Sequence, residues 1–244
     1  MTFQHPIHNK VLQVLETINR NFFEDCSIAF GGGTMLALAY EEYRLSRDID
    51  FLCPYGEAFS RLRTSIFDNG YEALFNLDEC NNNNIVFPRD LRTDRDGIRF
   101  AVQNGDTIFK FEIVAEGRIS LEPALQLEWS PVPCLSLVDQ VTEKLLANGD
   151  RWADRSVDSR DLIDLAMLKL KTSFPEQALD KAESAYPTIE PLKRSIRAFQ
   201  AAPDYRARCY DRLQIENPAA IVDGLDLLAT QFGLPSFERM ALEQ

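Results

Sequence analysis

The sequence predicts an α/β domain built on a mixed sheet over residues 1–135, followed by a helical domain over residues 136–244. Three observations carry that division. First, SIAFGGGTMLALAY is a short apolar strand broken by three glycines and resumed at helical spacing, and RLSRDIDFLCP then alternates like a strand. Second, IRFAVQ and TIFKFEIV are alternating runs separated by Asn104-Gly105, the strongest hairpin signal in a short stretch of chain. Third, apolar residues after Ser136 return every three or four positions, with Pro or Gly at each break. A length of 244 residues at 45% hydrophobic supports a substantial core.

Taken in order, the first element is an amphipathic helix from about residue 7 to residue 23, since Val11, Leu15 and Ile18 share a face. Residues 28–30 form a strand that stops at Gly31, Gly32 and Gly33. In the next strand Ile49 and Phe51 point to one side, Asp48 and Asp50 to the other, and Pro54 closes it. EAFSRLRTSIFDNG reads as a helix ended by Gly70, YEALFNL as a strand, the asparagines at 81–84 as a loop, and IVFPRDL as a further strand. Within TIFKFEIV, Phe109, Phe111 and Ile113 face one way while Lys110 and Glu112 face the other. The helical domain opens with SLVDQVTEKLLANG, capped by Ser136 and Asp139 and ending near Gly149. SRDLIDLAMLKLK, PEQALDKAESAY, PLKRSIRAFQ, YRARCYDRLQ and NPAAIVDGLDLLATQFG continue it as helices.

Composition narrows the chemistry. Five scattered cysteines without a CxxC pair predict free thiols rather than a disulfide framework or zinc cluster. The only histidines, His5 and His8, sit near the start of the sequence and are expected to be ordinary surface residues. Carboxylates and a hard cation are left to do any catalytic work. No run approaches a membrane span and MTFQHPIHNK lacks the pattern of a secretory leader, so a cytoplasmic location without membrane contact is expected. A net charge of -12 opposes adhesion to nucleic acid through the whole surface, leaving local clusters at 89–99 and 193–212, the latter including Arg206.

A glycine turn leading into a helix lets backbone N–H groups approach an anion, and Thr34 adds a hydroxyl there. Asp48 and Asp50 on one strand face set two hard oxygen ligands side by side, as Mg²⁺ prefers when phosphates complete its shell. The bland alternative is that they pair with Arg44 and Arg47. With Leu137 at zero and about 100° per residue, Lys144 falls at the edge of the apolar sector of its helix, and Asp161 and Asp164 lie about 60° apart, facing inward. Such inward charges are costly unless paired, so they form either an ion-pair network or a ligand site.

GGGT, a helix and RLSRDIDF together resemble the signature of the DNA polymerase β-like nucleotidyltransferase superfamily. Within it, GGTMLALAYEEYRLSRDIDF resembles the AbiEii/AbiGii family of nucleotidyltransferase toxins, with Arg44, Ser46, Asp48, Ile49, Asp50 and Phe51 filling an Arg-x-Ser-x-Asp-Ile-Asp-Phe pattern. Lys144 and RDLIDL at 160–165 match its later lysine and Arg-Asp-x-x-Asp-Leu helix, so the likeness spans about residues 30–170. Two departures are a spacing of thirteen residues, 35–47, between Thr34 and Asp48, and threonine where many relatives carry serine.

The resemblance implies a nucleotidyltransferase core that uses Mg²⁺ or Mn²⁺ held by Asp48, Asp50 and Glu112. It assigns Gly32, Gly33, Thr34 and Ser46 to the nucleotide, Lys144 to its phosphates, and Arg160, Asp161 and Asp164 to orienting it. Asp161 and Lys144 join the carboxylates as catalytic candidates. The implied partners are a nucleoside triphosphate, an RNA or tRNA acceptor and a cognate antitoxin. The competing readings are a small-molecule nucleotidyltransferase of the aminoglycoside-modifying kind and a nucleotide-binding regulatory protein without transfer activity.

Overall fold

The computed structural model describes residues 2–244. The chain packs into two compact units: one runs to Leu38 and resumes over Ser46–Ser136, the other joins Ala39–Leu45 to Leu137–Gln244. Residues 39–45, placed in the first domain by the sequence reading, pack with the helices. Their polar groups are satisfied there: Leu45 N–H donates to the Leu213 carbonyl at 2.8 Å, and Tyr43 and Arg44 bond Asp164.

The first unit holds a six-stranded mixed sheet. Its strands are β1 (Ala29–Gly31), β2 (Ile49–Pro54), β3 (Ile85–Val86), β4 (Arg92–Thr93), β5 (Gly97–Asn104) and β6 (Thr107–Glu116). The order is β1-β2-β6-β5-β3, with β4 also on β5; β2 and β6 run parallel and the remaining pairs antiparallel. Alternation puts Ile49, Phe51, Phe109, Phe111 and Ile113 on one fully buried face. There Phe111 stacks between Phe51 and Phe100, with centroids 5.3 and 4.6 Å away, each such pair adding about 0.5–1.5 kcal/mol beyond burial. The hairpin closes at Asn104 paired with Thr107, so its turn is Gly105 and Asp106.

Four elements depart from expectation. The predicted helix over 7–23 is two helices, α1 (Pro6–Glu16) and α2 (Arg20–Asp25). Thr17 turns its hydroxyl back to the Val14 carbonyl (2.8 Å), and the backbone around it pairs with 74–76 through Asn19 N–H to Leu74 O and Asn76 N–H to Thr17 O, both 2.8 Å. That pairing is all the strand character YEALFNL retains, its first residues forming a 3-10 turn, Gly70–Ala73. The asparagine-rich segment begins as a helix, Leu77–Asn82, because Asn76 caps it by accepting from Glu79 N–H. IVFPRDL contributes only Ile85–Val86, since Pro88 has no N–H for a ladder.

Between these elements, Gly32–Ala39 forms α3, Glu57–Asn69 forms α4, and Leu77–Asn82 is α5. The second unit contains α6 (Leu137–Arg151), α7 (Arg160–Lys171), α8 (Glu176–Ala185), α9 (Ile189–Gln200), α10 (Pro203–Arg212) and α11 (Pro218–Gln231). Helix α6 continues through Gly149 rather than ending there. A Cβ at Gly224 on α11 would fall 2.1 Å from the Ala166 carbonyl oxygen on α7, so glycine is what lets these helices pack so closely. Arg206, counted with the basic cluster, is instead buried and paired with Glu243 at 2.9 Å. All five cysteines are free and buried, and no helix among the described residues is long and apolar enough to cross a membrane.

Candidate active site

The glycine turn is shaped by Asp50. Gly31, at the end of β1, pairs with Asp50 across the sheet, and Gly32 opens α3 with φ of 70°. A Cβ at Gly32 would lie 2.7 Å from Asp50 Oδ2 and 2.9 Å from its Cβ, so both backbone angle and space require glycine. Gly32→Ala is therefore expected to displace the Asp50 carboxylate and lower thermal stability together, by about 1–3 kcal/mol in a denaturant titration. Gly32 and Gly33 are partly open, whereas Thr34 is fully buried and directs its Oγ1 onto Ser46 Oγ at 2.9 Å. Thus the turn's backbone, rather than the Thr34 hydroxyl, is the accessible part of GGGT.

Strand register sets the acids. Asp50 on β2 lies opposite Glu112 on β6, Glu112 opposite Arg99 on β5, and Arg99 opposite Arg92 on β4. One rung of the polar face thus reads Gly31, Asp50, Glu112, Arg99, Arg92, with neighbouring strands about 4.8 Å apart. Asp48 precedes β2 by one residue and is half-buried. Glu112 accepts hydrogen bonds from Arg99 Nε and Lys110 Nζ, and Arg99 Nη1 also reaches Asp94 at 2.8 Å. Burial alone would raise the Glu112 carboxyl, but Lys110 and Arg99 outweigh it and hold it below the usual range.

Among the described residues no three acidic, histidine or cysteine side chains close into a metal cage. The donor set still fits a hard cation of the kind that takes one or two carboxylates and completes its shell with phosphates and water. Asp48 and Asp50 supply that pair. Glu112 stands in register with them but is held by two cations.

The helical unit contains a separate buried network. Asp164, 0% exposed, receives Arg44 Nε (2.6 Å) and Nη2 (2.9 Å), Tyr43 OH (2.6 Å) and Lys144 Nζ (2.6 Å). Lys144, 7% exposed, also reaches Asp161 Oδ1 at 3.1 Å, and Arg151 holds both Asp161 oxygens at 2.6 and 2.9 Å. Burial pushes the Asp164 carboxyl up, but Arg44 and then Lys144 pull it well below the usual carboxylate range, and Asp161 follows the same pattern with Lys144 and Arg151. Tyr43 is raised by burial and by the neighbouring Asp164. The structure therefore brings Lys144, Asp161 and Asp164 together as one ion-pair network, and half-buried Arg160 stands outside it.

The family model for the nucleotidyl transferase AbiEii toxin, Type IV TA system, matches residues 13–214, most of the chain. The chain belongs to the AbiEii family of nucleotidyltransferase toxins. Two solved structures are similar to this AbiEii-family chain: a candidate nucleotidyltransferase from H. pylori, and JHP933 from Helicobacter pylori. Each is 19% identical with a TM-score of 0.50, over 95% of this chain and 95% and 93% of theirs respectively; at that identity they show a shared fold. No curated protein matches the sequence.

Four residues that matter to this geometry carried no local signal. Tyr43, Arg99 and Arg151 sit in polar stretches that read as solvated, and their partners lie up to 121 residues away. His8, expected at the surface, is fully buried, with Nε2 2.9 Å from the Ser46 carbonyl.

Proposed function

We propose that this AbiEii-family nucleotidyltransferase moves a nucleoside monophosphate from a nucleoside triphosphate to a hydroxyl of an RNA acceptor, tRNA included, with pyrophosphate leaving. The observation that carries the reading is the contact of the glycine turn with Asp50, which puts anion-seeking backbone N–H groups beside two cation-seeking carboxylates. Gly32, Gly33 and the start of α3 face the β- and γ-phosphates. Asp48 and Asp50 would hold Mg²⁺ or Mn²⁺, which when bound would supply charge stabilisation for the triphosphate and lower the pKa of the acceptor hydroxyl. Glu112 would help hold the cation from β6, and within the helical unit Lys144, oriented by Asp161 and Asp164 and followed by Arg160 on α7, is a further source of positive charge for phosphates. Family membership places the chain in a toxin–antitoxin system, whose other member is the cognate antitoxin.

Local charge supports the choice of acceptor. The protein as a whole, at -12, favours a cationic small molecule. Beside Glu112, however, Arg89, Arg92, Arg99 and Lys110 line a cleft of about 600 Å³ together with Asp90 and Ile108, and this cluster supports a phosphate-rich acceptor. Incubation with α-labelled triphosphates, Mg²⁺, and either total tRNA or an aminoglycoside separates the two. Label on RNA is the expected result, and label on the aminoglycoside alone would favour the small-molecule reading.

Glu112→Gln gives a second test of the same site. It removes a charge shared with two cations that are themselves open to solvent, so stability should change by less than about 1 kcal/mol. Transfer is expected to fall about a hundredfold while triphosphate affinity, measured by calorimetry, stays within about threefold. Unchanged transfer would exclude Glu112 from the reaction.

A further inference from the structure

His8 is a fully buried imidazole that the chemistry above does not use, and its place in the fold is specific. It lies on α1, with Phe3 and His5 edge-on to its ring at 6.3 and 5.3 Å. Its Nε2 meets the Ser46 carbonyl at 2.9 Å. The same Nε2 lies 3.4 Å from the Ser46 backbone nitrogen, so it donates to the carbonyl when it carries the ring hydrogen and accepts from the Ser46 N–H when it does not. Ser46 in turn shares a 2.9 Å hydrogen bond between its Oγ and Thr34 Oγ1, in the first turn of α3. A continuous chain of contacts thus runs from α1 through Ser46 to the glycine turn.

Ser46 occupies a pivotal place in the sequence. The first unit leaves off at Leu38 and resumes at Ser46, two residues before Asp48 and four before Asp50. Whatever fixes Ser46 fixes where the acidic strand begins. A buried imidazole is a poor choice for packing alone, because its polar nitrogens need partners that Leu or Phe would not. Here the partner is the backbone of Ser46, whose side chain bonds Thr34 of GGGT just ahead of the acidic strand.

We propose that His8 is a positioning residue for nucleotide binding, holding Ser46 so that Asp48 and Asp50 keep their place against the glycine turn without itself touching substrate. The inference rests on the nucleotide reading of GGGT, Asp48 and Asp50. Two full-length variants test it. His8→Leu fills similar space without a donor, and His8→Gln offers an amide N–H near the Nε2 position. The readouts are hydrogen exchange over residues 44–50 without ligand, exchange over residues 107–116 as an internal reference, and Mg²⁺–triphosphate affinity by calorimetry.

His8→Leu is expected to speed exchange at 44–50 and weaken triphosphate binding by about tenfold each, with 107–116 unchanged; His8→Gln should restore both to within about threefold. Parental exchange and affinity in His8→Leu would overturn the proposal. So would an equal rise in exchange at 107–116, or a His8→Gln variant no better than His8→Leu, since either marks His8 as general packing. A parent chain that binds no ribonucleoside triphosphate would overturn the nucleotide reading and this proposal with it. That failure is recognisable because exchange at 44–50 reports the hold on Ser46 independently of any ligand.

Discussion

Asp164→Asn is expected to lower the free energy of unfolding by about 3–5 kcal/mol, the largest stability effect of any single substitution considered. The change keeps side-chain size but leaves Arg44 and Lys144 buried without the charge both of them face, and leaves Tyr43 OH with a weaker acceptor. Lys144→Met should cost less, about 1–3 kcal/mol, because Asp164 keeps its two-pronged bond to Arg44 and Asp161 keeps Arg151. The sign of the pH dependence follows from the depressed native carboxyl. Asp164 contributes fully above its unfolded value of about 4 and loses that contribution as pH falls through this value toward the lower native one. Urea titrations between about pH 7 and pH 3 should therefore show a loss of stability on acidification in the parent and a shallower one in Asp164→Asn. Equal slopes would remove Asp164 from the acid response.

Asp50→Asn is expected to reduce nucleotide transfer about a thousandfold, near 4 kcal/mol of transition-state stabilisation, with little change in the unfolding midpoint. The amide has the carboxylate's shape, so its fit against Gly32 survives. What it lacks is the charge that holds a cation beside the phosphates. Asp48→Asn should act in the same direction, since the two acids share one strand face. A drop in transfer matched by a drop in stability would mean that the carboxylate holds the strand rather than the ion. Titrating Mn²⁺ into parent and variant separates these outcomes, because only a lost ligand shifts the metal dependence.

Much of this site was legible because it is local. The strand, glycine turn and helix of 28–39, the Asp-x-Asp alternation and the hairpin that presents Glu112 each follow from spacing within a dozen residues. The inward set of Lys144, Asp161 and Asp164 was visible from helical periodicity, and their pairing is one of the two outcomes that burial of charge permits. What periodicity could not show is contact between remote segments. Helical propensity over 7–23 is interrupted at Thr17 by backbone pairing with 74–76, and the asparagines of α5 are recruited into a helix by the Asn76 cap. Arg44, His8 and Arg206 look like surface residues in sequence. Each is buried against a remote partner, Asp164, Ser46 O or Glu243, that sits 120, 38 or 37 residues away.

The most direct test of the central claim, that Asp48 and Asp50 form a cation-holding transfer site, is transfer of α-labelled nucleotide to total tRNA by the parent chain and by Asp48→Asn and Asp50→Asn, with thermal midpoints recorded on the same samples. The expected result is Mg²⁺- or Mn²⁺-dependent label on RNA from the parent and about a thousandfold less from each variant at an unchanged midpoint. Transfer at the parental rate by either folded variant would contradict it.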